Sequence, residues 1–362
     1  MRSYLFKYLI LFFLGVTTTI SSLAWAFDED QSQSRSELNL SQSNIAHHKD
    51  GRVRFIPDNL FSVDFVDKSH GWAAGYYGTI LKTMDGGKNW THISLPNTDL
   101  IRRIQFLDKD SGWLVTHRGR IMSSQDGGTT WKIRYSVDNQ INLRNIKFLD
   151  DSIGWAVGHE GTILYTNDGG ETWANQSLSN FTGRDLPRLN GLTVLSENRA
   201  MLAGEFGVIA ETLDSGRTWM IISPPDIKAT FTEIEQVGNS ILAVGLDGVV
   251  VQIHSNQIDM LALPKGGKSE RVKLLNSGVN KHFFDIAANK NGKGIVIGLA
   301  NILTIENGNE LKKIEINLPD RDYLYFMGAT PISESKYALV GARGLAVTFD
   351  TTTTEIMGMI KW

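Results

Sequence analysis

Arg102, Arg103, Arg118, Arg144, Arg184, Arg188, Arg321 and Arg343 are eight of the seventeen arginines in this chain. A guanidinium is planar and permanently charged; it grips a carboxylate or phosphate through two parallel N–H bonds and stacks on aromatic faces. Tyr76, Tyr77, His117 and His159 occur at related places in the sequence and add flat faces beside those charges. Together the twelve residues are expected to bind a partner. The competing chemistry is glycoside hydrolysis, with Arg102, Arg144 and Arg343 holding a substrate carboxylate and Tyr76 and Glu205 reacting. G-x-S-x-G, P-loop, H-E-x-x-H and dinucleotide fingerprints are all missing from the 362 residues, so hydrolase, nucleotide and zinc chemistry lack a local basis. No catalytic residue, cofactor or metal site is expected.

A repeat positions these residues. The octets TMDGGKNW (83–90), SQDGGTTW (124–131), TNDGGETW (166–173) and TLDSGRTW (212–219) share [ST]-x-D-x-G-x-[TN]-W. Asp85, Asp126, Asp168 and Asp214 are expected to accept bonds within a tight turn, and Trp90, Trp131, Trp173 and Trp219 to lie against the sheet. The ligand-rich spacing of a calcium loop is absent. Upstream of each octet comes a pair of short strands around a turn glycine, as in GWAVGHEGTILYT. That glycine recurs at Gly78, Gly119, Gly161, Gly207, Gly248 and Gly344, with Asn301 in the remaining slot, in steps of 41, 42, 46, 41, 53 and 43 residues. Glycine or asparagine suits a hairpin position that needs positive φ. An apolar strand opens each unit and another follows the tryptophan. Four short antiparallel strands in units of this length imply an all-β, seven-bladed propeller. The turns between second and third strands then share a rim with the loops joining blades, and the octet turns occupy the opposite rim. All eight arginines fall on or beside the first rim.

Arg2 and Lys7, an apolar run and Ala24-Trp25-Ala26 form a secretory signal peptide over residues 1–26, too short in its apolar core to span a bilayer. Export to the periplasm, and solubility once the signal is cleaved, follow as expectations. Residues 27–50 are rich in Ser, Gln and acidic residues and read as a flexible polar linker; residues 51–362 are left as a single propeller domain. Taking Arg2 and Lys7 from the 36 basic residues leaves 34 against 39 acidic ones, a net charge of −5. That balance disfavours a general nucleic-acid binder. The chain has no cysteine, which rules out disulfides and thiolate metal sites. Either EIMGMIKW at the C-terminus or RVRFIP (52–57) is expected to complete the last blade. The basic stretch LPKGGKSERVKLLNSG is expected to be a loop over the binding rim or a tolerated insertion.

The octet resembles the Asp-box of bacterial neuraminidase repeats, found in sialidases, sortilin-type receptors and photosystem II stability/assembly factors. Taken with GWAVGHEGTILYT and RNIKFLDDSIGW, the block from 60 to 220 resembles the photosystem II assembly factors and their relatives in non-photosynthetic bacteria. The resemblance implies an exported, non-enzymatic propeller that holds a membrane-protein subunit, or another envelope complex, through an arginine-rich surface, and that acts as a monomer. The chain departs from the cyanobacterial members in lacking a lipid-attachment cysteine. Their arginine-rich run ending in Met-Gly is represented only by RDYLYFMG (321–328). Sialidases have six blades and an Arg-Ile-Pro signature that this chain lacks. Xyloglucan-degrading relatives need two propellers, and the length here suffices for one.

Overall fold

A computed structural model describes residues 45–47, 53–55, 59–95, 97–254, 271–289, 291–315 and 325–357. The residues divide into two compact units, 1–55 and 56–362. In the first, Ile45–His47 pairs antiparallel with Val53–Phe55. The second contains seven four-stranded antiparallel sheets in chain order. Blade 1 comprises Leu60–Phe65, Gly71–Gly75, Thr79–Thr83 and Thr91–Ser94. Blade 2 comprises Ile101–Phe106, Gly112–Thr116, Arg120–Ser124 and Lys132–Ser136. Blade 3 comprises Leu143–Phe148, Gly154–Gly158, Ile163–Thr166 and Ala174–Gln176. Blade 4 comprises Leu189–Ser196, Arg199–Gly204, Ile209–Thr212 and Met220–Ile221. Blade 5 comprises Phe231–Val237, Ser240–Gly245, Val250–His254 and Val272–Leu275. Blade 6 comprises Phe283–Ala288, Gly294–Gly298, Asn301–Glu306 and Glu310–Ile314. Blade 7 comprises Phe326–Pro331, Lys336–Gly341, Ala346–Asp350 and Glu355–Met357.

The second strand of each blade is an unbroken apolar or small-residue run, because both of its faces are covered by neighbouring blades. The core is accordingly divided into seven clusters, one between each successive pair of blades. Trp72, Ile80, Ile104, Phe106 and Met122 join blades 1 and 2, with the Trp72 and Phe106 rings stacked at 3.5 Å. Leu60, Ala73, Val340 and Ala346 close the ring between blades 7 and 1. A sheet deprived of its neighbours would expose both apolar faces, which is why the unit must be repeated around an axis.

Closure uses packing and a polar link, the Arg343 N–H donating to Asn59 Oδ1 at 2.8 Å. The last blade takes its outer strand from Glu355–Met357, as one of the two closure expectations had it; Val53–Phe55 instead pairs within its own hairpin. Ile45–His47 lies in the stretch read as a flexible linker and is strand. Part of the stretch read as a basic loop, Val272–Leu275, is the outer strand of blade 5; residues 255–270 lie outside the described set. So do the segment read as a signal peptide and most of the segment read as a linker.

The octet turns are held by one repeated bond pattern. In the third, Asp168 Oδ1 accepts from Thr166 Oγ1 at 2.8 Å and from the Thr172 N–H at 2.9 Å, and Oδ2 accepts from Thr172 Oγ1 at 2.6 Å. Thr166 Oγ1 in turn accepts from the Gly170 N–H at 2.9 Å. Asp85, Asp126 and Asp214 repeat the pattern. These bonds hold the Asp85 and Asp168 carboxyls down at about 2. Trp90 and Trp131 donate their indole N–H to the Gly87 and Gly128 carbonyls, whereas Trp219 donates to Gln176 Oε1. Trp173 is buried against the Trp113 and Phe148 rings.

Candidate partner-binding rim

Each second-to-third strand turn lies beside the start of an inner strand. The Tyr76 N–H donates to the Asn59 carbonyl, His117 N–H to Leu100 and His159 N–H to Asn142. In blade 1 the loop residues are Tyr77 at φ 54° and Gly78 at φ 69°, closed by a bond from Thr79 N–H to the Tyr76 carbonyl. Two consecutive left-handed residues make a type I′ hairpin, whose twist matches that of the strands. Glu160, Phe206, Asp247 and Arg343 occupy the same left-handed place before their glycines. In blade 6 the left-handed residue is Ala300, at φ 53°. Asn301, expected to take that conformation, instead begins a strand opposite Gly298.

Residues of the first four blades interact along these turns. Tyr76 meets Phe61 edge-on at 5.1 Å and Tyr77 at 5.8 Å, and the Arg102 guanidinium lies 5.4 Å from the Phe61 ring. Arg102, Arg144 and Arg188 all act on His159; burial first, and then these three cations, press its imidazole down to about 3. His117 is also held below the usual histidine range by burial, with Arg102 and Arg118 adding to the effect and Asp99 opposing it. Its Nδ1 accepts from the Leu100 N–H at 3.0 Å. Both imidazoles are therefore neutral near pH 7 and contribute surface beside the guanidinium groups. Arg188 is steadied by Glu205, whose Oε2 accepts from the Arg188 N–H at 3.0 Å and whose Oε1 lies 3.7 Å from Nε.

The other arginines are placed differently. Arg118 lies 3.8 Å from the buried Asp99. Arg184 is 94% exposed, beside Asp185. Arg343 stands at the junction of blades 7 and 1. Arg321 lies outside the described residues. Arg103 does not join the rim. Its guanidinium reaches across the ring from blade 2 to Glu233 of blade 5 and Asp285 of blade 6, with Nε donating to Asn145 Oδ1 at 3.1 Å. The cause is local: neighbouring residues of a strand point to opposite sides, so Arg102 stays beside Phe61 while Arg103 turns into the ring. Glu233 and Asp285 also accept backbone bonds from Leu192 and Ala329 of the following or preceding blades. These two acids were missed in the sequence. Their signal was a polar residue recurring at the third position of five inner strands: Ser62, Arg103, Asn145, Glu233 and Asp285.

A family model described as photosynthesis system II assembly factor YCF48 matches residues 88–257. That span contains the octets of blades 2, 3 and 4 and the three arginines around His159. Over that span, just under half of the chain, the propeller is similar to the photosystem II assembly factors. Solved structures agree on the architecture. YCF48 bound to D1 peptide aligns with 87% of this chain and 100% of its own, at TM-score 0.61 and 17% identity. YCF48 from Cyanidioschyzon merolae aligns with 82% of this chain and 96% of its own, at TM-score 0.63 and 16% identity. Virginiamycin B lyase from Staphylococcus aureus has the same overall form, at TM-score 0.63 and 15% identity over 79% of this chain and 92% of its own. No curated protein matches the sequence. Identities this low establish shared architecture, and a lyase among them shows that the fold alone does not determine chemistry. Among the described residues, no three His, Asp or Glu side chains are grouped to hold a metal ion.

Proposed function

We propose that this propeller is an exported, non-catalytic scaffold that holds a membrane protein or envelope complex by an acidic or carboxylate-ended segment laid on Arg102, Arg144 and Arg188. The observation that carries this reading is that Arg102, Arg144 and Arg188 all act on the half-buried imidazole of His159, in a chain whose formal net charge is −3. Cations clustered on an otherwise acidic molecule are suited to attracting a carboxylate at close range. Phe61, Tyr76 and Tyr77 continue that surface with aromatic faces, which bury area at low entropic cost. The related YCF48 is known in a complex with a D1 peptide, and a peptide is the kind of ligand this rim suits. The glycosidase alternative needs an available Glu205, and both of that residue's oxygens face Arg188.

The test is affinity capture by the full chain from its native envelope, comparing wild type with Arg102→Glu/Arg144→Glu/Arg188→Glu. A membrane protein retained only by wild type supports the reading. A folded triple variant that retains the same proteins refutes it.

A further inference from the structure

Beyond Glu205 the rim runs into a groove of about 540 Å³ between the segment leading into blade 4 and the segment leaving it. Phe181, Phe206, Ile221, Pro224 and Ile227 form its walls, with Arg184 and Lys228 at its lip. The polar groups of the walls are used inside the fold. Asn180 exchanges two bonds with the Ile221 backbone, and Ser223 Oγ accepts from the Ile209 N–H. What remains for a ligand is a mixed surface, its apolar walls flanked by the two exposed cations. Asp185, 3.9 Å from Arg184 and 81% exposed, is too well solvated to neutralise them.

Phe206 is the informative residue. It holds a left-handed backbone at φ 59° and leaves its ring 54% exposed. The Cβ resists the first and water the second, and glycine or asparagine would form the same turn more readily. The turns of the other blades share the left-handed place, so what singles out Phe206 is a large apolar side chain held there beside the groove and left exposed. The opposite wall is fitted to match. Phe181 lies over Gly183, where a Cβ would stand 2.3 Å from the ring. Glu205 and Phe206 are consecutive, so one turn holds an arginine of the rim and forms a wall of the groove.

We propose that the groove receives one bulky apolar side chain, aromatic or leucine, from the same extended acidic peptide whose carboxylate rests on Arg144 and Arg188. This inference rests on the rim reading above. The volume suits a large side chain with its flanking backbone, and Arg184 and Lys228 favour acidic neighbours. The ligand is thus an acidic peptide with an apolar anchor, and the groove sets which acidic peptides are accepted.

The experiment uses the full chain and two short fluorescein-labelled peptides ending in aspartates with a free carboxylate, identical except that one carries Phe where the other carries Ser. Anisotropy should show the Phe peptide binding about tenfold more tightly, as burial of a large apolar side chain implies. Phe206→Gly, which suits φ 59° and keeps the turn, should remove that preference without unfolding the protein. Arg144→Gln should weaken both peptides alike. If Phe206→Gly leaves the preference intact, or wild type treats the peptides equally, the groove proposal is overturned while the rim stands on the Arg144→Gln result. If Arg144→Gln changes neither peptide, or wild type binds neither, the rim reading falls and the groove with it.

Discussion

Replacing Arg103 by methionine should leave Glu233 and Asp285 facing each other across the ring with their common cation removed. Arg103 is 15% exposed and both acids 3%, so water does little to screen the exposed pair of charges. Removing one partner from such a buried network costs about 3–5 kcal/mol. Unfolding entropy near 2.1 cal/mol/K per residue, over roughly 300 residues, gives about 0.6 kcal/mol per degree, so the melting temperature should fall by about 5–8 °C. The sign of the pH dependence follows from Asp285, which burial pushes above the ordinary carboxyl value while Arg103 pulls it back. A carboxyl raised in the folded state contributes stability that is complete below its unfolded value near 3.8, and that is lost as pH rises through the folded value. Without Arg103 the folded value rises further, so the deficit should be largest near pH 8 and should shrink toward pH 4. Urea unfolding followed by tryptophan fluorescence between those limits measures both quantities. A loss below about 1 kcal/mol, or a loss equal at every pH, would refute a buried ionic network.

Two further outcomes follow from the same coordinates. His159, held to about 3, should show no imidazole titration by NMR between pH 8 and pH 5. Because its folded value is depressed, its contribution to stability should decline as pH falls below the unfolded value near 6.5; a midpoint near 6.5 in the folded protein would contradict the arginine cluster. Asp168→Ala should lower the melting temperature, since one carboxylate ties together Thr166, Thr172 and the turn backbone. With Asp85 and Asp168 held at about 2, their contribution should persist at neutral pH and be lost between about pH 4 and pH 2. Equal acid sensitivity in wild type and Asp168→Ala, measured by thermal melts, would count against this.

Much of the fold can be read from the chain because a propeller is built from local rules repeated. The octets, the glycine turns and the apolar strand stretches each depend on neighbours within one blade, so their spacing implies four strands and seven units. Arg102, Arg144 and Arg188 could likewise be placed at one rim, since that position depends on where each lies in its repeat. The left-handed Ala300 was not legible, because an alanine in that conformation has no sequence signature and Asn301 beside it looked the better candidate.

What sequence alone determined, then, is the architecture and the place of Arg102, Arg144 and Arg188 in its repeat. Tertiary structure decided what each arginine does. Arg102 and Arg103 are adjacent and chemically identical, yet the first lies against an aromatic ring and the second in an ionic network across the axis. Glu233 and Asp285 lie more than a hundred residues further along the chain, and only closure of the ring brings them to Arg103. Periodicity records how a residue faces its own sheet; it contains no record of which distant blade stands opposite, and the burial that sets charge, pKa and partner choice comes from that opposition.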